Sequence, residues 1–256
     1  MVTVKVISEF IDSIAPYKTK CEWDNCGILI GDENQIIKKI GFALDLTEET
    51  LSHAIENKVD MIVTHHPIIF KAQKSFLKGN MAYELAVNGI SAISAHTCFD
   101  CADGGVNDVL CEIFELSDVE GVPSEECAVP MVRIGNLKFD ALLSSAQLAE
   151  MVAEKLGTAV RLVESDKGIA RVAVCGGAGM DFLADAVKMG ADAYITGDMS
   201  YHEALYAKEI GVTVIAAGHF ETENPAIAYL KKYIDIKFPD IETVLLKQHN
   251  PIKFIG

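Results

Sequence analysis

A chain of 256 residues, half of them hydrophobic, can bury one large core or two smaller ones. Its formal net charge of −15 argues against a nucleic-acid backbone as the main partner, because phosphate binding needs a basic footprint; a local basic cavity for one anionic small molecule stays compatible with it. No apolar run reaches the ~18 residues of a membrane span, and the N-terminus lacks a signal peptide's basic stretch and continuous apolar core, so a cytoplasmic protein with no membrane partner is expected.

From the N-terminus, Val4, Ile7, Ile11 and Ile14 recur at helical spacing and Pro16 ends the pattern. Short, doubly apolar runs then predict strands at 40–45 (IGFALD), 60–64 (DMIVT), 89–95 (GISAISA), 172–176 (VAVCG), 192–196 (DAYIT) and 211–217 (GVTVIAA). Amphipathic stretches between most of them predict helices over 47–57, 82–87, 145–156, 180–189 and 203–209. Strands alternating with helices predict the α/β class, with βαβ units and largely parallel sheets covered on both faces. The least patterned stretch, 117–130, is the linker candidate. It suggests a first α/β half over 1–117, holding His65, His66, His96 and Asp100. The second half, 118–256, holds His219 and Glu223. Seven cysteines, an odd number, are expected as reduced thiols; the tight pair Cys98 and Cys101 lacks the second pair that a structural zinc site wants.

The halves echo each other. KVDMIVTHHP (58–67) aligns with GADAYITGDM (190–199), matching Asp60 to Asp192 and Thr64 to Thr196. NGISAISAHTCFD (88–100) aligns with IGVTVIAAGHFETE (210–223) if one extra residue is allowed. Both copies end in a histidine with a carboxylate four residues on, which favours a true repeat over the general likeness of βαβ units.

Polar residues gather behind the predicted strands: His65 and His66, then His96 and Asp100, then Asp198, then His219, Glu221 and Glu223. In open α/β sheets, ligands sit outside the carboxyl ends of the strands. Taken singly, each residue has an ordinary reading as a loop or capping group. Together, mixed imidazole and carboxylate groups suit divalent zinc, iron, manganese, cobalt or nickel. So many candidate ligands are too many for one open catalytic zinc, whereas two ions with a bridging carboxylate use them naturally. The adjacent histidines fit that arrangement, since Pro67 holds His66 extended and lets the two rings diverge.

WDNCGILIGD (23–32), VTHHPIIF (63–70), SAHTCFDCADGGVND (94–108), CGGAG (175–179), DAYITGDMSYHEA (192–204) and AAGHFETE (216–223) resemble the Nif-three-like dinuclear metal-centre family, also catalogued as GTP cyclohydrolase 1 type 2 homologues. The chain is similar to the short form without a middle insert. The resemblance implies two similar interlinked α/β domains. It also implies two divalent metal ions per chain, held by His65, His66, Asp100, His219 and Glu223. Glu223 would be the bridge, His66 and Asp100 would complete one ion's set, and His65 and His219 the other's. A homohexameric ring is implied as well. The sequence departs from the family pattern at Cys98 and Phe99, where Asn-Leu is usual, at Asp198, where Glu is commoner, and at Glu221, a carboxylate that could compete with Glu223.

Two ions bridged by water make hydrolysis the simplest reaction class, on a small, nucleotide-like or phosphate-bearing substrate. His96 is a candidate proton shuttle or support for the ligands, and Asp198 and His202 are candidates for substrate binding or proton relay. CGGAGMD is either a tight turn or a set of amides that cradles a phosphate. Trp23, Asp24 and Asn25 either shape the pocket or, for Trp23, belong to the core. The alternatives to a hydrolase are a non-enzymatic metal-binding or adaptor protein and an iron-dependent redox enzyme.

Overall fold

The computed structural model describes residues 1–125, 127–138 and 141–253. Its strands, in chain order, are β1 (Gly27–Ile30), β2 (Lys39–Ala43), β3 (Met61–Thr64), β4 (Ser91–Ser94), β5 (Ser117–Val122), β6 (Val132–Asn136), β7 (Arg161–Val163), β8 (Arg171–Cys175), β9 (Ala193–Thr196), β10 (Thr213–Ala216) and β11 (Glu242–Leu245). They form two mixed sheets with helices between the strands, a mixed α/β architecture. Two compact units result. One is Met1–Gly105 with Ala226–His249, and the other is Val106–Pro225 with the segment from Asn250 onward.

The first unit's sheet runs β1-β4-β3-β2-β11. β11, β2, β3 and β4 are parallel, and β1 lies antiparallel on β4. β3 and β4 are buried along their whole length, as strands covered on both faces must be. Ala43, Ile62, Ala92, Leu85 and Leu246 pack together on one side. The N-terminal helix, Val4–Ile14, follows its predicted spacing, with Val4, Ile7 and Ile11 buried.

The second unit's sheet runs β5-β6-β8-β9-β10-β7, with a parallel centre of β8, β9 and β10 and antiparallel flanks. Side chains alternate between two cores, as the pleat requires. Ala173, Cys175, Tyr194 and Val214 join one, and Val172, Val174, Ile195 and Ile215 join the other. Ser144 and Gln147 form a reciprocal capping box that starts the helix Ser145–Leu156, and Gly157 ends it in the left-handed conformation.

The six apolar runs predicted as strands are β2, β3, β4, β8, β9 and β10, within two residues at each end. The linker expectation over 117–130 is corrected in part, because 117–122 is the edge strand β5. Its middle residues are exposed, a register irregularity interrupts its pairing with β6, and Asp118 has a φ of 50°. A bulged, solvent-facing edge shows no hydrophobic period. Among the described residues, no helix is long and apolar enough to cross a membrane.

The sequence echo has a structural counterpart inside each unit. Asp60 Oδ2 accepts the amides of Lys38 and Lys39 at 2.7 and 2.9 Å, and the Asp60 amide donates to the Lys39 carbonyl. Asp192 Oδ2 likewise accepts the amides of Ala170 and Arg171 at 3.0 and 2.9 Å, and its amide donates to the Arg171 carbonyl. Each aspartate therefore pins the start of the neighbouring strand and sets the register of a parallel pair. Asp60→Ala and Asp192→Ala are each expected to cost about 1–3 kcal/mol, the range for losing charge-assisted bonds to backbone. The check is the urea midpoint at an unchanged m-value; an unmoved midpoint in both would deny the clamps a structural role.

Candidate metal centre

In the first unit, three strand ends supply the groups. His65 and His66 directly follow β3, Asp45 follows β2 by one residue, and His96 follows β4 by one residue. His65 is fully buried, and its Nδ1 lies 2.8 Å from the Ala95 carbonyl, beyond β4. The neighbouring ring turns the other way, with His66 Nδ1 2.7 Å from Asp45 Oδ1. Thr64 Oγ1 donates to the His66 carbonyl and Ser94 Oγ to the His65 carbonyl, which fixes the backbone that carries both rings. One ring nitrogen from each of His65, His66 and His96 lies within 4.8 Å of the others.

His96 opens the short helix Thr97–Asp100, and its Nδ1 lies 2.9 Å from Asp24 Oδ1. Asp24 is buried and also accepts Thr97 N, Thr97 Oγ1, Asn25 N and Cys26 Sγ. Burial alone would raise its pKa. The hydrogen bond from His96, and then those from Thr97 and Cys26, outweigh it and hold the carboxyl well below the usual carboxylate range. The buried Asp100, one turn on from His96, brings Oδ1 to 3.4 Å from His65 Nε2. It is thus His65, rather than His66, that stands against Asp100.

In the second unit, Gly197 and Asp198 follow β9, while His219 starts the helix His219–Lys237 soon after β10. His219 Nδ1 is 2.7 Å from Asp198 Oδ2, and Nε2 is 3.1 Å from Oε2 of the buried Glu223. The bond to Glu223 is the main cause that raises the His219 pKa to about 9; desolvation opposes it, and Asp198 adds to it. Gly177 closes over this pair. It has a φ of +62°, and a Cβ there would lie 2.1 Å from Glu223 Oε1 and 3.1 Å from His219 Nε2. The phosphate-cradle reading of 175–179 is not supported, since the amides of Gly176, Gly177 and Gly179 donate to Asn107, Thr222 and Thr196 side chains. The segment is a tight turn.

These donors fit divalent cations. Each of the four imidazoles has an acceptor at Nδ1, so its neutral form presents Nε2 as the lone-pair nitrogen, the arrangement that oxygen acceptors behind metal-bound histidines impose. Two ligands bound about 2.05 Å from one tetrahedral ion lie about 3.3 Å apart. The separations of 3.4 Å for His65 with Asp100 and 3.1 Å for His219 with Glu223 bracket that value. Within each unit, the Gly177 cradle included, the side chains are arranged as ligand pairs.

Of the residues expected to help catalysis, His96 lies among the first unit's imidazoles and Asp198 holds His219. His202 is exposed on the helix Tyr201–Ile210, its ring against Tyr201, and no hydrogen bond or ion pair ties it to Asp198, His219 or Glu223. Glu221 Oε1 accepts Asn250 Nδ2 at 2.7 Å, whereas it is Glu223 that stands against His219. Cys98 and Cys101 are buried. A hydrogen bond with Cys26, and then burial, push the Cys98 thiol far up, so it is a protonated packing group, and Cys101 Sγ sits 3.4 Å from Thr19 Oγ1. Sequence reasoning missed Asp45, absorbed into the end of an apolar run; an acid closing one of three neighbouring strands was its signal. The core reading of Trp23 is corrected, because the indole is mostly exposed.

Gly177→Ala is expected to leave the far-ultraviolet circular dichroism spectrum unchanged and to weaken metal uptake by at least tenfold. The added Cβ displaces the Glu223 carboxylate and strains a left-handed φ. Equilibrium dialysis against zinc checks it; wild-type uptake would mean that the glycine does not cradle the ligand pair.

The Duf34/NIF3 (NGG1p interacting factor 3) family model matches residues 2–251. Similar curated proteins include the GTP cyclohydrolase 1 type 2 homolog of Clostridium acetobutylicum, 34% identical over 98% of each chain. That of Methanocaldococcus jannaschii is 30% identical over 94% of this chain and 98% of its own. Among solved structures, Staphylococcus aureus hypothetical protein SA1388 matches with a TM-score of 0.89 at 26% identity over 99% of each chain. Reduced HcgD from M. jannaschii matches with a TM-score of 0.83 at 28% identity over 96% of this chain and 98% of that one. With a family match over nearly its whole length and relatives of a third identity, the chain belongs to the DUF34/NIF3 family.

Proposed function

We propose that this protein is a dinuclear metal-dependent hydrolase of a small, phosphate-bearing or nucleotide-like substrate. The residues we assign to hold the ions are His65, His66, Asp100, His219 and Glu223. The observation that carries the reading is an oxygen within hydrogen-bond distance of Nδ1 in each of the three imidazoles assigned as ligands, His65, His66 and His219. Three rings all oriented with Nε2 as the lone-pair nitrogen suit cations. The names of the curated relatives point to the same reaction class.

Such ions, when bound, bring the pKa of water towards about 7 and polarise a carbonyl or phosphoryl oxygen. The protein's own groups do the rest. Asp45 and Asp198 keep the Nδ1 protons of His66 and His219 in place, and so hold each ring in its binding tautomer. His96, backed by Asp24 and half-buried, is the group to which we assign taking a proton from water and returning it to a leaving group. Burial of His65, Asp100 and Glu223 keeps bulk water off the ligand atoms. We further propose a homohexameric ring, in keeping with the exposed Tyr201, Leu205 and Tyr206 on one helix; a monomer in sedimentation equilibrium at micromolar concentration would contradict it.

Metal analysis of the zinc- and manganese-loaded protein tests the ligand set. Wild type should hold two ions per chain, and His66→Ala and Glu223→Ala one or fewer. Retention of two ions by both variants would overturn it. His96→Ala should keep both ions and lose about 10²–10⁴-fold in hydrolysis of a panel of nucleotides and phosphate esters. His202→Ala should keep both metal and rate. A fully loaded wild type that turns over nothing in the panel would favour the binding or adaptor reading, and oxygen uptake by the iron form the redox one.

A further inference from the structure

Trp23 and Phe70 are aromatic, 60% and 48% exposed, and stand together. Their ring centroids lie 5.7 Å apart, and both flank the His96 ring, at 5.9 and 6.5 Å. An exposed tryptophan on a loose loop would need no explanation. This one is held on both sides. The next residue, Asp24, takes five hydrogen bonds, from His96, Thr97 N and Oγ1, Asn25 N and Cys26. Asn25 Nδ2 then donates to the Ile69 carbonyl at 2.7 Å, which ties the Trp23 loop to the residue before Phe70. Two large apolar rings are thus kept in water, at fixed spacing, beside an imidazole of the candidate centre.

The segment around Phe70 is basic in an acidic chain. Residues 66–80 (HPIIFKAQKSFLKGN) contain no acid, in a protein of net charge −15, and carry Lys71, Lys74 and Lys78, all exposed. A stacking surface that leads into an acid-free lysine run matches a ligand that is flat and apolar at one end and anionic at the other.

We propose that Trp23 stacks on the planar heteroaromatic ring of a nucleoside phosphate while Phe70, tilted 58° to the indole, packs against the edge of that ring, and that the phosphate is drawn by Lys71, Lys74 and Lys78. The proposal rests on the metal-centre reading for what happens next to the ring, but ring binding itself is measured without metal. Trp23 is the only tryptophan in the chain, so its fluorescence reports on the platform directly.

Titration of the EDTA-treated full chain with guanosine monophosphate should quench that emission at submillimolar ligand, and ribose 5-phosphate should not. Phe70→Ala should weaken guanosine monophosphate about tenfold, in line with the loss of one aromatic partner. Lys71→Glu with Lys74→Glu should weaken guanosine monophosphate but leave guanosine unchanged. No quenching by guanosine monophosphate or guanosine up to millimolar concentration would overturn the proposal, as would equal quenching by ribose 5-phosphate. An emission shift that tracks protein concentration with no ligand would also overturn it, by showing that a second copy covers the platform. Two bound metals per chain with no quenching would sink the platform alone, and quenching with no metal uptake would sink the metal centre alone.

Discussion

The interaction on which the rest depends is the hydrogen bond behind each imidazole, and it follows from how parallel strands line up. Neighbouring strands in a sheet lie about 4.8 Å apart, so residues just past their carboxyl ends are side by side. β3 lies between β4 and β2. Of the two histidines that follow it, His65 leans on Ala95 beyond β4, and His66 on Asp45 beyond β2. Adjacent residues on an extended chain point opposite ways. A histidine pair at the end of a central strand therefore finds an acceptor on each flank, and the two rings are oriented by two different neighbours. The second unit repeats the logic with one ring, since Asp198 and His219 follow β9 and β10, which are also adjacent.

This geometry explains what could be read from the sequence and what could not. The central strands announce themselves because burial on both faces demands unbroken apolar runs, as in MIVT and AYIT. The flanks do not. β11 is half exposed, and β1 and β7 pair only on their inner side, so their composition carries no period. The histidines stood out because polar residues directly after apolar runs are conspicuous. Their supports did not. Asp45 looks like the tail of a strand, and Asp24 lies more than seventy residues from the His96 it holds. A hydrogen bond that joins distant segments leaves no mark in local spacing. Trp23 misled for a related reason: composition favours burying an indole, and only the bonds around Asp24 and Asn25 keep it out in water.

The Asp60 and Asp192 clamps belong to the same account. Each fixes the start of the strand next to its own, and the strand ends can present aligned side chains only if their beginnings are in register. A one-residue slip would turn every side chain to the opposite face and carry the histidines away from their acceptors. The repeat is legible in the sequence at this aspartate because register control is required in both units.

Charge completes the physical picture. Asp100 and Glu223 are buried carboxylates, and a buried anion is costly unless a positive group faces it. Each has an imidazole nitrogen within salt-bridge distance, and the pKa of His219 rises for that reason. A proton on the imidazole and a cation between imidazole and carboxylate answer the same electrostatic demand, and they exclude each other on one nitrogen. The carboxylates thus act in two ways. They make the folded protein tolerate a positive charge at these positions, and a proton or a cation supplies it. A cation that binds there recovers energy already committed in folding, which couples ion binding to the stability of each unit.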